Sequence, residues 1–260
     1  MCWPNYRTIE TPLLRVQQRV PSHGKMAAMR SKLEKTDRFA YLDALGIDVW
    51  RLRGNDEPLE APDTEHTTAA HASWSDIRAA VSNCQKCALH RTRTQTVFGV
   101  GSETADWMII GEAPGAEEDR RGEPFVGRSG KLLDEMLRAV GLDRQTVFIA
   151  NVLKCRPPGN RDPLADESSQ CRAYLDRQIE LLKPKLILVV GRIAAQLLLG
   201  TDAPLGRLRG RAHKFGPAEI PVVITYHPAY LLRSPAQKRK VWEDLCLARS
   251  IVQQASSSSS

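Results

Sequence analysis

The chain has 260 residues, 42% of them apolar, and a formal net charge of +7. That length and apolar content support one large domain or two small ones with a proper core. No apolar run approaches the roughly 20 residues that cross a bilayer, and the N-terminus has no basic-then-apolar leader pattern, so a membrane protein and a secreted protein are excluded and an intracellular protein is expected. The basic excess suits a polyanionic partner, although plain solubility explains it equally well.

The N-terminal part of the chain divides by composition. Residues 1–36 show no sustained period and are expected to be disordered. Residues 37–53 combine helically spaced apolar side chains with a short alternating run, which predicts a small helix-strand element that either packs on the main domain or docks a partner. Residues 54–73, rich in Asp, Glu, Pro, Thr and Ala, predict a linker. The main domain is expected over 74–254, before a disordered serine tail at 255–260.

Strand and helix patterns alternate through the main domain. Strand patterns occur at 107–111, 147–153, 186–190 and 221–226. Helical patterns occur at 75–80, 130–140, 164–182, 193–199 and 236–254. The unbroken apolar run at 186–190 is typical of a strand that is buried on both faces. The alternation predicts an α/β fold, a three-layer sandwich around a central, mainly parallel four-stranded sheet.

The stretch 111–127 between the first strand and the next helix is predicted as a long loop. Its glycines and prolines impose a costly backbone path, and Glu112, Glu118 and Asp119 supply carboxylates. In open α/β sheets, ligands bind in the crevice beyond the carboxyl ends of the strands, so these carboxylates are expected at the mouth of a pocket. The alternative is a surface loop whose acidic residues are merely solvated.

Two other strand ends carry polar side chains. Asn151 lies near the end of the second strand, and His227 directly follows the last one. An Asn amide offers a donor and an acceptor, which matches the two-point edge of a nucleobase or an amide. A neutral His can donate to an oxygen that gains negative charge. Taken singly, each residue is more often a capping Asn or a packed His, but their joint placement beside Phe125 favours a binding crevice.

Six cysteines occur, and four of them have the spacing of a ligand set. Cys84 and Cys87 form a close pair, Cys155 follows a strand, and Cys171 lies in a helical pattern. Four thiolates gathered in this way can enclose either zinc or an iron-sulfur cluster. A zinc ribbon usually brings two close pairs, so the wide spacing of the other two cysteines favours a cluster. Four unrelated core cysteines are the remaining alternative.

Four short motifs stand out along the main domain. They are GEAPG at 111–115, GEPFVG at 122–127, NVLKCRPP at 151–158 and HPAYLLR at 227–233. Together with the spacing of the four cysteines, they resemble family 4 uracil-DNA glycosylases. The resemblance covers roughly residues 75–253, and residues 1–70 lie outside it.

The resemblance implies a cofactor and a base pocket. A 4Fe-4S cluster would be held by Cys84, Cys87, Cys155 and Cys171. Its role would be structural, because hydrolysis of a glycosidic bond needs no electron. A uracil flipped out of the DNA would be bound by Glu112, Ala113, Pro114, Phe125, Asn151 and His227. Phe125 would stack on the base, while Asn151 would accept from N3–H and donate to O4, a pattern that cytosine reverses.

The resemblance also implies the reaction, which is hydrolysis of the N-glycosidic bond of uracil in DNA. Free uracil is released and an abasic site remains for base excision repair. His227 would donate to the anion that develops at O2 of the leaving uracil. A carboxylate would orient water and favour the sugar cation, with Glu112 as the first candidate and Glu118 or Asp119 as the second.

Contacts to the DNA are expected from Arg156, Leu231, Leu232 and Arg233. The two leucines would wedge into the space that the flipped base vacates, while Arg233 meets a phosphate. Ordinary packing at a helix start is the alternative for the segment 231–233. Lys154, Arg161 and the basic run 207–214 are expected to add phosphate contacts, which predicts a strong loss of affinity with salt.

We therefore expect a monomer that acts on single- or double-stranded uracil-containing DNA in a bacterial cytosol or nucleoid. Residues 37–53 are a candidate contact for a replication or repair partner. A second hypothesis is a non-catalytic iron-sulfur protein that binds nucleic acid as an accessory of replication. A third, an electron-transfer protein, lacks a second cofactor motif. The set of Glu112, Asn151 and His227 favours the enzyme.

Overall fold

The computed structural model describes residues 73–257 and, apart from them, only Leu45. The predictions for residues 1–36, for the element at 37–53 and for nearly all of the linker at 54–73 lie outside the described residues. Within the described part, none of the helices has the length and apolar character needed to cross a bilayer.

A mixed, six-stranded sheet forms the centre of the described part. Its strands are β1 (Val100–Gly101), β2 (Trp107–Gly111), β3 (Phe148–Asn151), β4 (Leu186–Val190), β5 (Ala212–Phe215) and β6 (Ile220–Thr225). They lie in the order β1-β3-β2-β4-β6-β5. The four middle strands are parallel, and each edge strand is antiparallel to its neighbour. The predicted parallel sheet of four strands is confirmed. The two edge strands escaped prediction because they are short and only partly buried.

Within residues 73–257, eight helices connect or cover these strands. They are α1 (Trp74–Ser82), α2 (Ala116–Arg121), α3 (Arg128–Ala139), α4 (Ala165–Leu182), α5 (Arg192–Leu199), α6 (Leu205–Leu208), α7 (Pro228–Arg233) and α8 (Lys238–Ser257). Short 3-10 turns occur at Ala88–Arg91, Pro158–Asn160 and Pro235–Gln237. α2 lies inside the stretch that was predicted as loop, and α8 continues into the stretch that was predicted as tail.

Alternate side chains of the parallel strands enter two separate cores. Met108 and Ile110 of β2 face the first core, which α1, α4 and α5 cover. Trp107 and Ile109 of the same strand face the second core, which α3, α7 and α8 cover. All of β2 is buried, as expected for a strand with helices on both faces. The result is the predicted three-layer sandwich.

Candidate active site

The carboxyl ends of the parallel strands β2, β3 and β6 lie at one edge of the sheet, and we call this edge the crevice. Gly111, the last residue of β2, is paired in register with Asn151, the last residue of β3. His227 stands just beyond β6 and caps the N-terminus of α7. Phe125 enters from the loop that precedes α3, with its ring centroid 5.7 Å from that of His227. Three side chains that were expected to converge therefore lie in one place.

The side-chain amide of Asn151 is buried, and its oxygen receives no hydrogen bond from the described residues. The residue is 2% exposed, and its Oδ1 has no hydrogen-bond partner among the described residues. A Cβ added at Gly111 would lie 2.4 Å from this Oδ1 and 2.6 Å from Cζ of Phe125, so glycine is required here. A buried polar atom without a partner costs about 1–3 kcal/mol. Such an atom at a crevice points to a ligand that supplies the missing donor.

Phe125 is held in an uncommon backbone conformation. Its φ is 53°, in the left-handed region that residues other than glycine rarely adopt. The Arg144 guanidinium donates to the carbonyl of Pro124 at 2.6 Å and to that of Phe125 at 3.1 Å. Asp134 holds Arg144 in turn through a 3.0 Å ion pair. Sequence analysis missed Arg144, because nothing in the local pattern shows that it reaches this loop.

His227 is a neutral hydrogen-bond donor. Its Nδ1 accepts from the backbone N–H of Ala229 at 3.1 Å, so the single proton of the neutral ring is carried by Nε2. Burial lowers the pKa of His227 to about 4, with a smaller effect from the positive charge of Arg233 and an opposing effect from Glu118. The ring therefore stays neutral at pH 7 and can donate from Nε2.

Glu112 has a side-chain pKa well above the usual value of a carboxylate. Burial raises the pKa of its side chain to about 7, and the negative charge of Asp162 adds to the effect while Arg192 opposes it. Beside it, Ala113 packs against the first core and Pro114 is buried. Near neutral pH, Glu112 is divided between its charged and its protonated form.

Glu118 and Asp119 hold the loops around the crevice. Glu118 is buried and accepts through Oε1 from the backbone N–H groups of Val126 and Gly127, at 3.0 and 3.1 Å. Asp119 is also buried and accepts through both carboxylate oxygens from the N–H of Thr94. The alternative of merely solvated acids is wrong for both residues, because α2 turns them inward. Glu118 fixes the path of the chain directly after Phe125, and Asp119 ties α2 to the segment at Thr94.

The four predicted ligands line a single cavity, which we call the four-cysteine cavity. It is formed by Cys84, Cys87, Cys155 and Cys171 together with neighbouring side chains. The Arg93 guanidinium donates to Sγ of Cys155 at 3.1 Å, and the backbone N–H of Lys154 donates to Sγ of Cys171 at 3.2 Å. Burial raises the pKa of Cys87, of Cys155 and of Cys171, the last to about 11. The free thiols of Cys87, Cys155 and Cys171 are therefore protonated at pH 7.

The four thiols can be compared with what a zinc ion and an iron-sulfur cluster each require. Among the described residues, no group of three or more His, Cys, Asp or Glu side chains could hold a single metal ion. Zinc needs all its sulfurs about 2.3 Å from one point. Thiols that surround a cavity, with N–H donors aimed at two of the sulfurs, fit a larger cluster with four thiolate ligands.

Lys154 lies between the crevice and the four-cysteine cavity. It is 1% exposed, and its Nζ donates to the carbonyl of Asn151 at 2.8 Å and to Oε1 of Gln178 at 2.6 Å. Burial lowers the pKa of its ammonium group to about 8. The prediction that Lys154 contacts a phosphate is wrong, because the side chain is enclosed in the domain. Gln178, which also donates to the carbonyl of Phe98, was not predicted as part of any site.

The residues predicted to contact DNA separate into exposed and enclosed ones. Leu232 is 41% exposed and Arg233 is exposed at the end of α7. Leu231 is 1% exposed and packs in the second core, because consecutive helical residues point in different directions. Only Leu232 of the two leucines has the exposed position that a wedge requires. Arg156 is partly exposed and donates to Oδ1 of Asn160 at 2.8 Å.

Three other residues that were expected to contact phosphates either form ion pairs within the domain or lie away from the crevice. Arg161 donates through both terminal nitrogens to Glu167, at 2.8 and 2.6 Å. Arg209 donates through Nε and one terminal nitrogen to the two carboxylate oxygens of the buried Asp244, at 3.1 and 3.0 Å. Lys214 pairs with Pro221 near the start of β6, at the end of the sheet opposite to the crevice. The phosphate contacts expected of these three residues stay predictions.

The sequence of the chain is similar to those of known proteins. The profile of the Uracil DNA glycosylase superfamily matches residues 98–246. A type-4 uracil-DNA glycosylase of Archaeoglobus fulgidus is 45% identical over 178 residues, which are 66% of this chain and 88% of that protein. Type-4 enzymes of Sulfurisphaera tokodaii and Pyrobaculum aerophilum are each 44% identical over 66% of this chain, and 81% and 90% of their own lengths are covered. The profile match contains all the crevice residues from Glu112 to His227.

Proposed function

The chain belongs to the uracil-DNA glycosylase superfamily, with type-4 enzymes among its relatives, and we propose that its crevice receives a uracil flipped out of DNA. It hydrolyses the N-glycosidic bond, releases free uracil and leaves an abasic site for base excision repair. The observation that carries this proposal is the unpartnered Oδ1 of the buried Asn151, beside Gly111 and Phe125.

Selection of uracil depends on the orientation of the Asn151 amide. Its free acceptor fits the N3–H of uracil, and its NH2 group then donates to O4. Cytosine offers an acceptor at N3 and a donor at the 4-position, so both hydrogen bonds would be replaced by repulsive contacts. Phe125 provides an aromatic face on which the extruded base stacks. Discrimination of this kind is strong, because a mismatched base leaves buried polar groups unpaired.

Departure of the base depends on His227. As the bond to the sugar breaks, negative charge collects on uracil, and Nε2–H of His227 donates to O2. A neutral donor stabilises this anion without giving up its proton, and the low pKa of His227 supports that state. Donors of this type contribute about 3–4 kcal/mol to the transition state.

Glu112 supplies the carboxylate that orients the attacking water and favours the sugar cation. Its raised pKa and partial burial support a catalytic role, since perturbed acids cluster at reacting centres. Glu118 and Asp119 are assigned to holding the loop, because hydrogen bonds from backbone N–H groups occupy their oxygens. Glu118 remains the second candidate, since its charge acts on His227.

The four cysteines would hold a 4Fe-4S cluster. Through these ligands, the segment after α1, the segment after β3 and helix α4 would be tied into one unit. The role would be structural, because the hydrolysis transfers no electrons. Two sulfurs that accept hydrogen bonds support this assignment.

The DNA would lie across the crevice, on the side that carries Arg156 and Arg233. Leu232 would enter the space left by the base while Arg233 and Arg156 meet phosphates. We further propose that the protein acts as a monomer in the cytosol or nucleoid. An affinity that falls steeply between low and moderate salt is the expected result, and a flat response would contradict the phosphate contacts.

The reaction is tested with a fluorescent oligonucleotide that contains one uracil. After incubation with the purified protein, alkali cleaves the strand at any abasic site, and an oligonucleotide with thymine in the same position is the control. A cut at uracil alone is expected. No cut, from protein whose visible absorbance shows an intact cluster, would favour the non-catalytic accessory of replication.

The role of Asn151 is tested by Asn151→Asp. A carboxylate only accepts hydrogen bonds, so it repels O4 of uracil but can receive the amino group of cytosine. We expect excision of uracil to fall about 100-fold and excision of cytosine to become detectable, both measured as kcat/KM on matched oligonucleotides. An unchanged preference for uracil would remove Asn151 from the base pocket.

A further inference from the structure

An open apolar groove lies next to the crevice, between α3, α7 and α8. Leu132 and Met136 of α3, Leu231 of α7, and Lys238 and Trp242 of α8 line it. Trp242 is 47% exposed, although its neighbours in the groove include buried core residues. Large aromatic side chains left in water are typical of binding surfaces rather than of inert ones.

The three helices around this groove carry several exposed cations, which we call the rim. One of them, Lys238, lines the groove, as does one acid, Glu135. Exposed cations on the three helices are Lys131, Arg233, Lys238 and Lys240. The acidic residues nearby in the same helices are already paired, Glu135 with Arg138 and Glu243 with Arg239. An aromatic ring within a positively charged rim is the arrangement with which proteins bind single-stranded nucleic acid.

The groove is connected to the crevice by its own helices. α7 begins directly after His227 and ends at Arg233, so its length of about 9 Å separates the crevice from the rim. α3 begins at Arg128, three residues after Phe125, and Leu132 lies little more than one turn into it. The charge of Arg233 is close enough to His227 to influence it. A strand that leaves the crevice along α7 therefore reaches Trp242.

We propose that Trp242 stacks on an unpaired base of the DNA strand that flanks the flipped uracil, while Lys238 and Arg233 contact its phosphates. This second base site rests on the proposed function, since it serves the same DNA. In a duplex the flanking bases are already stacked on one another and paired, whereas in single-stranded DNA they are free. The groove would therefore make single-stranded DNA the preferred substrate.

The test compares Trp242→Leu, which keeps apolar packing but removes the aromatic face, with Trp242→Phe, which retains a ring. We expect Trp242→Leu to raise KM for a single-stranded uracil oligonucleotide about tenfold with kcat unchanged, the scale of one lost stacking contact. KM for the duplex should change less than twofold, and Trp242→Phe should recover most of the loss. Arg249→Gln, an exposed change further along α8, is the matched control and should alter neither value.

A second measurement is independent of catalysis. Single-stranded oligothymidylate without uracil should quench tryptophan fluorescence in the unaltered protein, and the quenching should be lost in Trp242→Leu. If the protein excises no uracil from any substrate, the proposed function fails, but this quenching still tests the groove. Equal effects of Trp242→Leu on both substrates, or quenching that survives the change, would overturn the proposal.

Discussion

The crevice and the four-cysteine cavity are built in opposite ways, although one strand end serves both. In the crevice, Oδ1 of Asn151 lacks a partner and His227 keeps a proton available on Nε2. In the cavity, the sulfurs of Cys155 and Cys171 already accept hydrogen bonds. A site that stabilises charge for an instant needs donors and acceptors that are free until the substrate arrives. A site for a permanent group needs ligands and supporting hydrogen bonds that are arranged around it.

The chain between the two sites is short and rigid. β3 ends at Asn151, and the backbone N–H groups of Val152 and Leu153 then donate to the carbonyls of Gly111 and Glu112. Cys155 follows in the cavity wall. We therefore expect that loss of the four-cysteine cavity also disturbs the crevice, whereas a change at the crevice leaves the cavity intact.

Loss of a cysteine ligand should have the largest effect. Cys171→Ser removes one of the four thiolates, and we expect loss of the visible absorbance of the cluster, a fall in Tm of about 10 °C and loss of excision. Cys246→Ser is the control, because Cys246 is exposed and lies outside the cavity. Iron content, Tm and activity are the measurements. A colourless but fully active Cys171→Ser protein would show that the two sites are independent.

His227→Ala should damage only the crevice. Removing the donor to the developing anion should lower kcat about 100- to 1,000-fold, since one such donor is worth about 3–4 kcal/mol. The iron content of the variant should match that of the unaltered protein, and the two Tm values should agree to within a few degrees. Single-turnover excision measures the loss of rate, and visible absorbance measures whether the cluster is retained. A decrease of less than tenfold in kcat would assign the anion to another donor.

The pH dependence of excision should follow the ionisation of the Glu112 carboxyl group. Its pKa of about 7 means that the active carboxylate is lost below pH 7, so kcat/KM should fall up to tenfold per unit there, while His227 stays neutral. Glu112→Gln should lower the plateau about 100-fold and abolish this slope. The raised pKa also implies that the folded state loses stability as the pH rises from about 4.5 to about 7, because the folded protein holds a proton that the unfolded chain has released.

Glu118→Gln provides the matched comparison for Glu112. It keeps an acceptor for the N–H groups of Val126 and Gly127, so the slope below pH 7 should persist in this variant. If Glu118→Gln removes the slope and Glu112→Gln retains it, the catalytic carboxylate is Glu118.

Lys154→Met should have the smallest effect on excision among the variants that lower it, and it tests the link between the two sites. The change leaves the Asn151 carbonyl and Oε1 of Gln178 without their donor, at about 1–3 kcal/mol for each. We expect a fall in Tm of about 5–10 °C and a roughly tenfold rise in KM, with the cluster retained. Unchanged KM for the uracil oligonucleotide would mean that Lys154 stabilises the fold without positioning Asn151.

Much of the fold could be predicted because the signals are local. The apolar runs of β2 and β4 are continuous, as strands buried on both faces require, and the helices between them keep a clear helical period. β1 and β5 were missed, since short, half-exposed edge strands carry no comparable signal. α2 was missed because six residues between glycines have too little length to show a period.

The sequence by itself determined the α/β sandwich, its parallel central strands, and the residue types that collect at the strand ends and at the four cysteines. Only the tertiary structure decided which way side chains face: that Lys154 is buried between two sites, that Leu231 enters the core while Leu232 stays in water, and that Arg144 reaches the carbonyl of Phe125. The physical reason is that secondary structure follows from the periodic placement of apolar residues along the chain. The environment of a single charged or polar group depends on neighbours that are distant in sequence, and their positions exist only after the layers have packed.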